Sequence, residues 1–220
     1  MTRVLLVLGV VAGALTGCSA APPSGAAAPS PLAFTPGQEP PGVLPLPGTH
    51  PVRNPAVTDE NLDRTVCSGT RKYRPPRAYT DEVKRIELST PVGSWGSIRD
   101  PRDGRTYAVP GHRGFAGLGP GDAARVELDH FLPLSDGGDG YDPANLWPEI
   151  GGTAGAPLAG ADGGSANSEA KDGLEYFVYQ QLCPHGSGRR TMTLAQAAAL
   201  YEPDWYASYV RLGRPTGPAD

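Results

Sequence analysis

Asp129 and His130 stand side by side after Val126 and Leu128, and Asn145 follows in an apolar, aromatic setting with Leu146 and Trp147. These residue types suit metal-assisted hydrolysis. A carboxylate can hold a divalent cation, an imidazole that titrates near neutrality can take a proton from water, and the cation can stabilise charge developing on a phosphate. The surrounding pattern supplies elements to position them. Residues 125–134 read as a strand, 135–143 as a turn region containing Gly137-Gly138, and Asn145-Leu146-Trp147 as the start of a return strand. A helical pattern resumes at 167, where Leu174, Phe177, Val178 and Leu182 fall on one face. Asp129 and His130 are therefore expected on the first strand of a hairpin that a helix follows.

The flanking elements are legible from punctuation and periodicity. Arg74-Pro75-Pro76 predicts an extended turn. Thr80-Asp81-Glu82 predicts a helix start, with Thr80 as its cap and Val83, Ile86 and Leu88 as its apolar stripe. Residues 89–122 read as irregular apart from a strand near Thr106 to Val109. Thr193 and Gln196 form a capping box for a helix that packs through Leu194, Ala197, Ala198 and Tyr201 and stops at Pro203. Trp205, Tyr209 and Leu212 mark a last short helix. Phe131 and Trp147 are expected in the core, and His112 and His185 exposed in Gly-rich stretches. Glu149 is expected as a turn carboxylate without a catalytic role. Residues 150–166, nearly all Gly, Ala, Pro, Ser and Thr, read as a flexible loop.

The chain ends point to a compartment. Arg3 and the apolar run Val4 to Leu15 make residues 1–17 a signal peptide, too short for a comfortable membrane span. Leu15-Thr16-Gly17-Cys18 reads as a lipobox, with lipid carried on Cys18; an ordinary secretory signal is the alternative. Both place the protein outside the cytoplasm. Residues 18–58 then form the lipidated cysteine and a disordered Pro/Ala/Ser-rich linker, 59–212 the folded domain and 213–220 a disordered tail. Cys67 and Cys183 remain as an even pair in an oxidising compartment and read as a disulfide, against two buried thiols as the alternative. There are 19 Lys+Arg against 23 Asp+Glu, a net charge of −4. That balance speaks against tight nonspecific DNA binding, which rests on phosphate neutralisation. Locally, however, Arg71, Lys72, Arg74, Arg77, Lys84 and Arg85 form a basic lead-in, either a solvated surface or a phosphate-facing patch.

The core segment resembles the HNH endonuclease motif. The match is to a bacterial pattern DHxxPLxxGG, NLWPE and KDxxE, present here as Asp129-His130-Phe131-Leu132-Pro133-Leu134, Gly137-Gly138, Asn145-Leu146-Trp147-Pro148-Glu149, and Lys171-Asp172 with Glu175. The lead-in VCSGTRKYRPPRAYTDEVKRIEL at 66–88 is similar to that subgroup's Cys, RPP, YT and K series, so the resemblance spans roughly 60–212. It implies an α+β fold with a small ββα-metal core and flanking helices. His130 would be the general base and Asp129 a metal ligand. Asn145 would brace the metal loop through backbone hydrogen bonds and orient the base. The third motif position falls on Asn167 or Glu169, with Asn167 favoured as the ligand. Lys171 and Arg74 would contact phosphate, and Asp172 and Glu175 would pair with the basic lead-in. One Mg²⁺ or Mn²⁺ is implied, with Zn²⁺ or Ni²⁺ where imidazoles join the ligands. The implied substrate is nucleic acid, DNA ahead of RNA, and the membrane is a partner through Cys18; no protein partner is inferable. A second reading is a surface lipoprotein that uses a degraded HNH scaffold for binding without turnover.

Overall fold

Pro75 and Pro76 fix the entry to the first long helix. Arg74 and Pro76 are extended (ψ 124° and 145°), and α1, Arg77–Ser89, begins immediately after them. Thr80 is therefore not the cap. It lies in the first turn, where its hydroxyl donates to the Arg77 carbonyl at 3.0 Å. The apolar stripe is as expected, with Val83, Ile86 and Leu88 buried together with Tyr79.

The protein mixes helices and strands in a computed structural model that describes residues 51–114, 118–124, 126–150, 168–185, 188–202 and 205–217. All belong to one compact unit, Ala33–Asp220. The signal segment, Cys18, loop 151–166 and Asn167 lie outside the described residues. Among those residues no helix is long and apolar enough to cross a membrane.

Two antiparallel ribbons follow α1. In the first, β1 (Trp95–Arg99) pairs with β2 (Thr106–Pro110). Sequence reasoning found β2 but missed β1, because WGSIR carries no apolar alternation. In the second, β3 (Val126–His130) pairs with β4 (Leu146–Ile150), in the register Asp129 with Trp147 and His130 with Leu146. Then come α2 (Ser168–Leu182), α3 (Leu194–Tyr201) and α4 (Trp205–Arg211). The capping box at α3 is present, Thr193 with Gln196.

The β3–β4 ribbon separates two cores. Residues opposite one another in an antiparallel pair share a face, and neighbours along a strand alternate. Trp147 accordingly packs with Phe131, Leu174, Val178, Leu182, Tyr201 and Trp205. Leu146 packs on the other side with Tyr79, Val83, Ile86, Val109 and Tyr141.

Both ends of the folded part extend past the expected boundaries of 59 and 212. The Asp139 amide donates to Val52 O at 2.7 Å, and Val57 is buried in the larger core. At the other end, a Cβ added to Gly173 would lie 2.2 Å from Pro215 O, so this part of the expected tail packs on α2.

Cys67 and Cys183 are at bonding distance, with Cα atoms 5.3 Å apart. The link joins the lead-in to the residue after α2 and closes a loop of sequence separation 116. A cross-link over so long a loop restricts the unfolded chain. Replacing both cysteines by alanine is expected to lower the unfolding free energy by about 2–4 kcal/mol. Urea midpoints of the two proteins measure this, and equal midpoints would refute a stabilising role.

Candidate active site

His130 closes β3 with its side chain partly exposed. Its Nε2 lies 3.3 Å from the Gly140 carbonyl. A carbonyl can only accept, so Nε2 carries the proton and Nδ1 is left with its lone pair. Burial first, then the Lys171 and Arg74 charges, hold the ring below its ordinary pKa, against the opposing pull of Asp129. The imidazole is thus neutral at pH 7 and able to accept a proton.

The acceptor carbonyl is held in place by its loop. Gly140 sits so close to the lead-in that a Cβ there would meet Tyr73 O at 2.2 Å. Asn145, fully buried, staples the same loop. Its Nδ2 donates to Leu132 O and Asp139 O, both at 2.9 Å, and its Oδ1 accepts from the Leu132 and Val52 amides at 2.9 and 3.1 Å. Both donors and both acceptor positions of the amide are used, so Asn145 positions the loop and has no capacity left for a reacting group. The bond from Val52 brings in a segment that composition alone assigned to the linker.

Asp129 and His130 leave the end of β3 on opposite faces by register, yet the charge of each still acts on the other. The register partner of Asp129 is Trp147, on the α2 side of the ribbon, whereas His130 lies opposite Leu146. The adjacent pair is therefore split between two faces. On the α2 side the carboxylate meets Lys171, only 1% exposed, which forms an ion pair with Asp129 Oδ2. The same ammonium donates to His130 O at 2.9 Å and to Glu175 Oε1 at 2.6 Å. Its three protons are all engaged. The expectation that Lys171 reaches a phosphate as a point charge is replaced by this buried role, because three acceptors already hold it. Glu175 likewise pairs with Lys171 and not with the basic lead-in.

Glu149 completes the cluster and was missed by sequence reasoning. It lies in β4, not in a turn, opposite Glu127, which puts it on the Asp129 face of the ribbon. The parity of the strand pattern was the signal that could have found it. Burial, then neighbouring Asp129, pushes its carboxyl well above the usual range. Its Oε1 is buried without a hydrogen-bond partner among the described residues. Burial also raises Glu175 to about 7, opposed by Lys171, while Lys171 and His130 hold Asp129 below its ordinary value despite burial.

No family model, curated protein or solved structure matches this chain. Its chemistry therefore rests on its own residues.

Three carboxyl groups around one ammonium leave an excess of hard oxygen donors, one of them the orphaned Glu149 Oε1. Carboxylate oxygens are the donor type that a hard divalent cation takes. Asp129, the expected ligand, has a side chain 25% exposed and is already ion-paired with Lys171. Asn167 and the Glu169 side chain lie outside the described residues. Among the described residues no three His, Cys, Asp or Glu side chains are arranged to hold a metal.

The remaining expected residues divide. Arg74 is exposed and close enough for its charge to act on His130. Elsewhere in the lead-in, Arg85 pairs with Glu82 at 2.6 Å and Lys72 donates to Arg64 O at 2.8 Å. His185 is exposed as expected. His112 is not: it is fully buried, its amide donates to Glu87 O at 2.7 Å, and burial pushes its ring down to about 3.

Proposed function

We propose that the protein is a metal-dependent endonuclease of the HNH type, hydrolysing phosphodiester bonds of nucleic acid, DNA ahead of RNA. The observation that carries this reading is the neutral, partly exposed His130, fixed through Nε2 so that Nδ1 is free. The chain order β3, β4, α2 around it supports a ββα core. In the reaction, His130 Nδ1 takes the proton of a water whose oxygen attacks phosphorus. The bond from phosphorus to the 3′ oxygen breaks, and that oxygen is protonated from solvent. Arg74 faces the negative phosphate, and Gly140 and Asn145 keep the imidazole oriented. Asp129, with Asn167 or Glu169, would hold one Mg²⁺ or Mn²⁺. When bound, such an ion stabilises the charge that develops on the phosphate.

We place the enzyme outside the cytoplasm, carried on a lipid at Cys18 by the Pro-rich linker. The Cys67–Cys183 pair is compatible with an oxidising compartment. A second reading, binding without turnover, is favoured by one observation: the Lys171 ammonium already engages Asp129 Oδ2.

Incubation of the full chain with supercoiled plasmid separates the two. Nicking with Mg²⁺ or Mn²⁺ that stops on adding EDTA is the expected result. Binding of plasmid with no nicking under any divalent ion would favour the non-catalytic reading.

A further inference from the structure

The β1–β2 ribbon has one face buried and one face open. Ile98 and Val109 pack against α1, and Tyr107, opposite Ile98, is buried on the same face. Gly96 lies so close to α1 that a Cβ there would meet Ile86 Cγ2 at 2.2 Å, which fixes how the ribbon seats. The register Trp95 with Pro110, Ser97 with Ala108 and Arg99 with Thr106 puts Trp95, Ser97, Arg99, Thr106 and Ala108 on the opposite face. All five are exposed.

Trp95 is 54% exposed, whereas the other two tryptophans, Trp147 and Trp205, are buried. Of the three exposed large hydrophobic residues among those described, Trp95 opens this hairpin and Val92 lies just before it. Arg113, also exposed, is bridged to Pro91 beside them. Residues 91–114 hold four arginines and two aspartates, a local surplus of positive charge in a chain whose net charge is −4. A two-stranded ribbon with one exposed indole, small side chains beside it and arginines at its margins is complementary to a strand with unstacked bases and a phosphate backbone.

The ribbon also joins the candidate active site. Its turn carries Arg102, whose guanidinium lies 3.5 Å from the centre of the Tyr141 ring. Tyr141 directly follows Gly140, the residue whose carbonyl holds His130. From Trp95 to Arg99 the strand covers about 13 Å at the usual rise per residue.

We infer that the exposed face of the β1–β2 ribbon is a platform for single-stranded nucleic acid, on which Trp95 stacks a base and Arg99 and Arg113 face phosphates. This rests on the nuclease reading for its choice of partner. It goes beyond that reading by placing substrate recognition on a ribbon separate from the β3–β4 hairpin.

The test is tryptophan emission of the full chain in EDTA, titrated with a short oligothymidylate. Saturable quenching is expected, because only the exposed indole can meet a base. Trp95→Ala should abolish the quenching. It should also weaken binding of a fluorescently labelled oligothymidylate by about 5–150-fold, read by anisotropy. Arg99→Ala and Arg113→Ala should each reduce the salt slope of log K by about 0.7. Unchanged emission at saturating oligonucleotide, or equal binding by Trp95→Ala, would overturn the platform. So would quenching by phosphatidylglycerol vesicles but not by oligonucleotide, which would make this a membrane-facing surface. Plasmid nicking is scored separately. Nicking without quenching sinks the platform alone, and quenching without nicking sinks the nuclease reading and leaves the platform standing.

Discussion

Lys171→Met is expected to destabilise the protein by about 3–5 kcal/mol, the range found when one partner of a buried ion pair is removed. The reason is local and countable. The ammonium is 1% exposed and its three protons go to Asp129, Glu175 and the His130 carbonyl. Methionine keeps much of the volume and supplies none of the donors. Asp129, Glu175 and Glu149 would then face one another without a cation. The loss should depend on pH. In the wild type, Lys171 holds Asp129 below its ordinary pKa. In the variant, burial would raise Asp129 above its unfolded value. A carboxyl raised in the folded state contributes stability below its unfolded pKa and loses it as pH rises through the folded one. The difference between wild type and variant should therefore be larger at pH 8 than at pH 5. Urea unfolding at both values measures it. A variant as stable as wild type at pH 8 would mean that the cluster is not organised around the ammonium.

His130→Ala is expected to lower phosphodiester cleavage by about 10²–10⁴-fold, the usual contribution of a general base. Stability should change far less than in Lys171→Met. His130 is partly exposed, and its side chain makes a long contact of 3.3 Å to Gly140 O. Its backbone carbonyl, which receives Lys171, remains in the alanine variant. The contrast between the two variants is informative: one should unfold easily, the other should fold and fail to cut. Wild-type cleavage rates in His130→Ala would remove the base assignment.

Much of the framework was legible because local signals agreed with the final packing. Leu174, Val178 and Leu182 recur at helical spacing and are all fully buried. Thr193 and Gln196 make the box that their spacing announced. The close pair Cys67 and Cys183 followed from cysteine usage. Where expectation failed, a distant contact decided the matter. A lysine is ordinarily a surface residue, and nothing near Lys171 in sequence announces Asp129, 42 positions away. His112 sits among glycines, yet its segment docks on the end of α1, so the ring is buried. Val52 and Asn54 look like linker, but their amides meet Asn145 and Gly137 across the fold.

The most direct measurement is single-turnover nicking of supercoiled plasmid by the full chain with Mn²⁺, run beside His130→Ala. Nicked circles from the wild type, absent with EDTA and reduced at least 100-fold in the variant, are the expected result. Nicking that is equal in both proteins, or absent from a folded wild type with every divalent ion tried, would contradict a hydrolase built around His130.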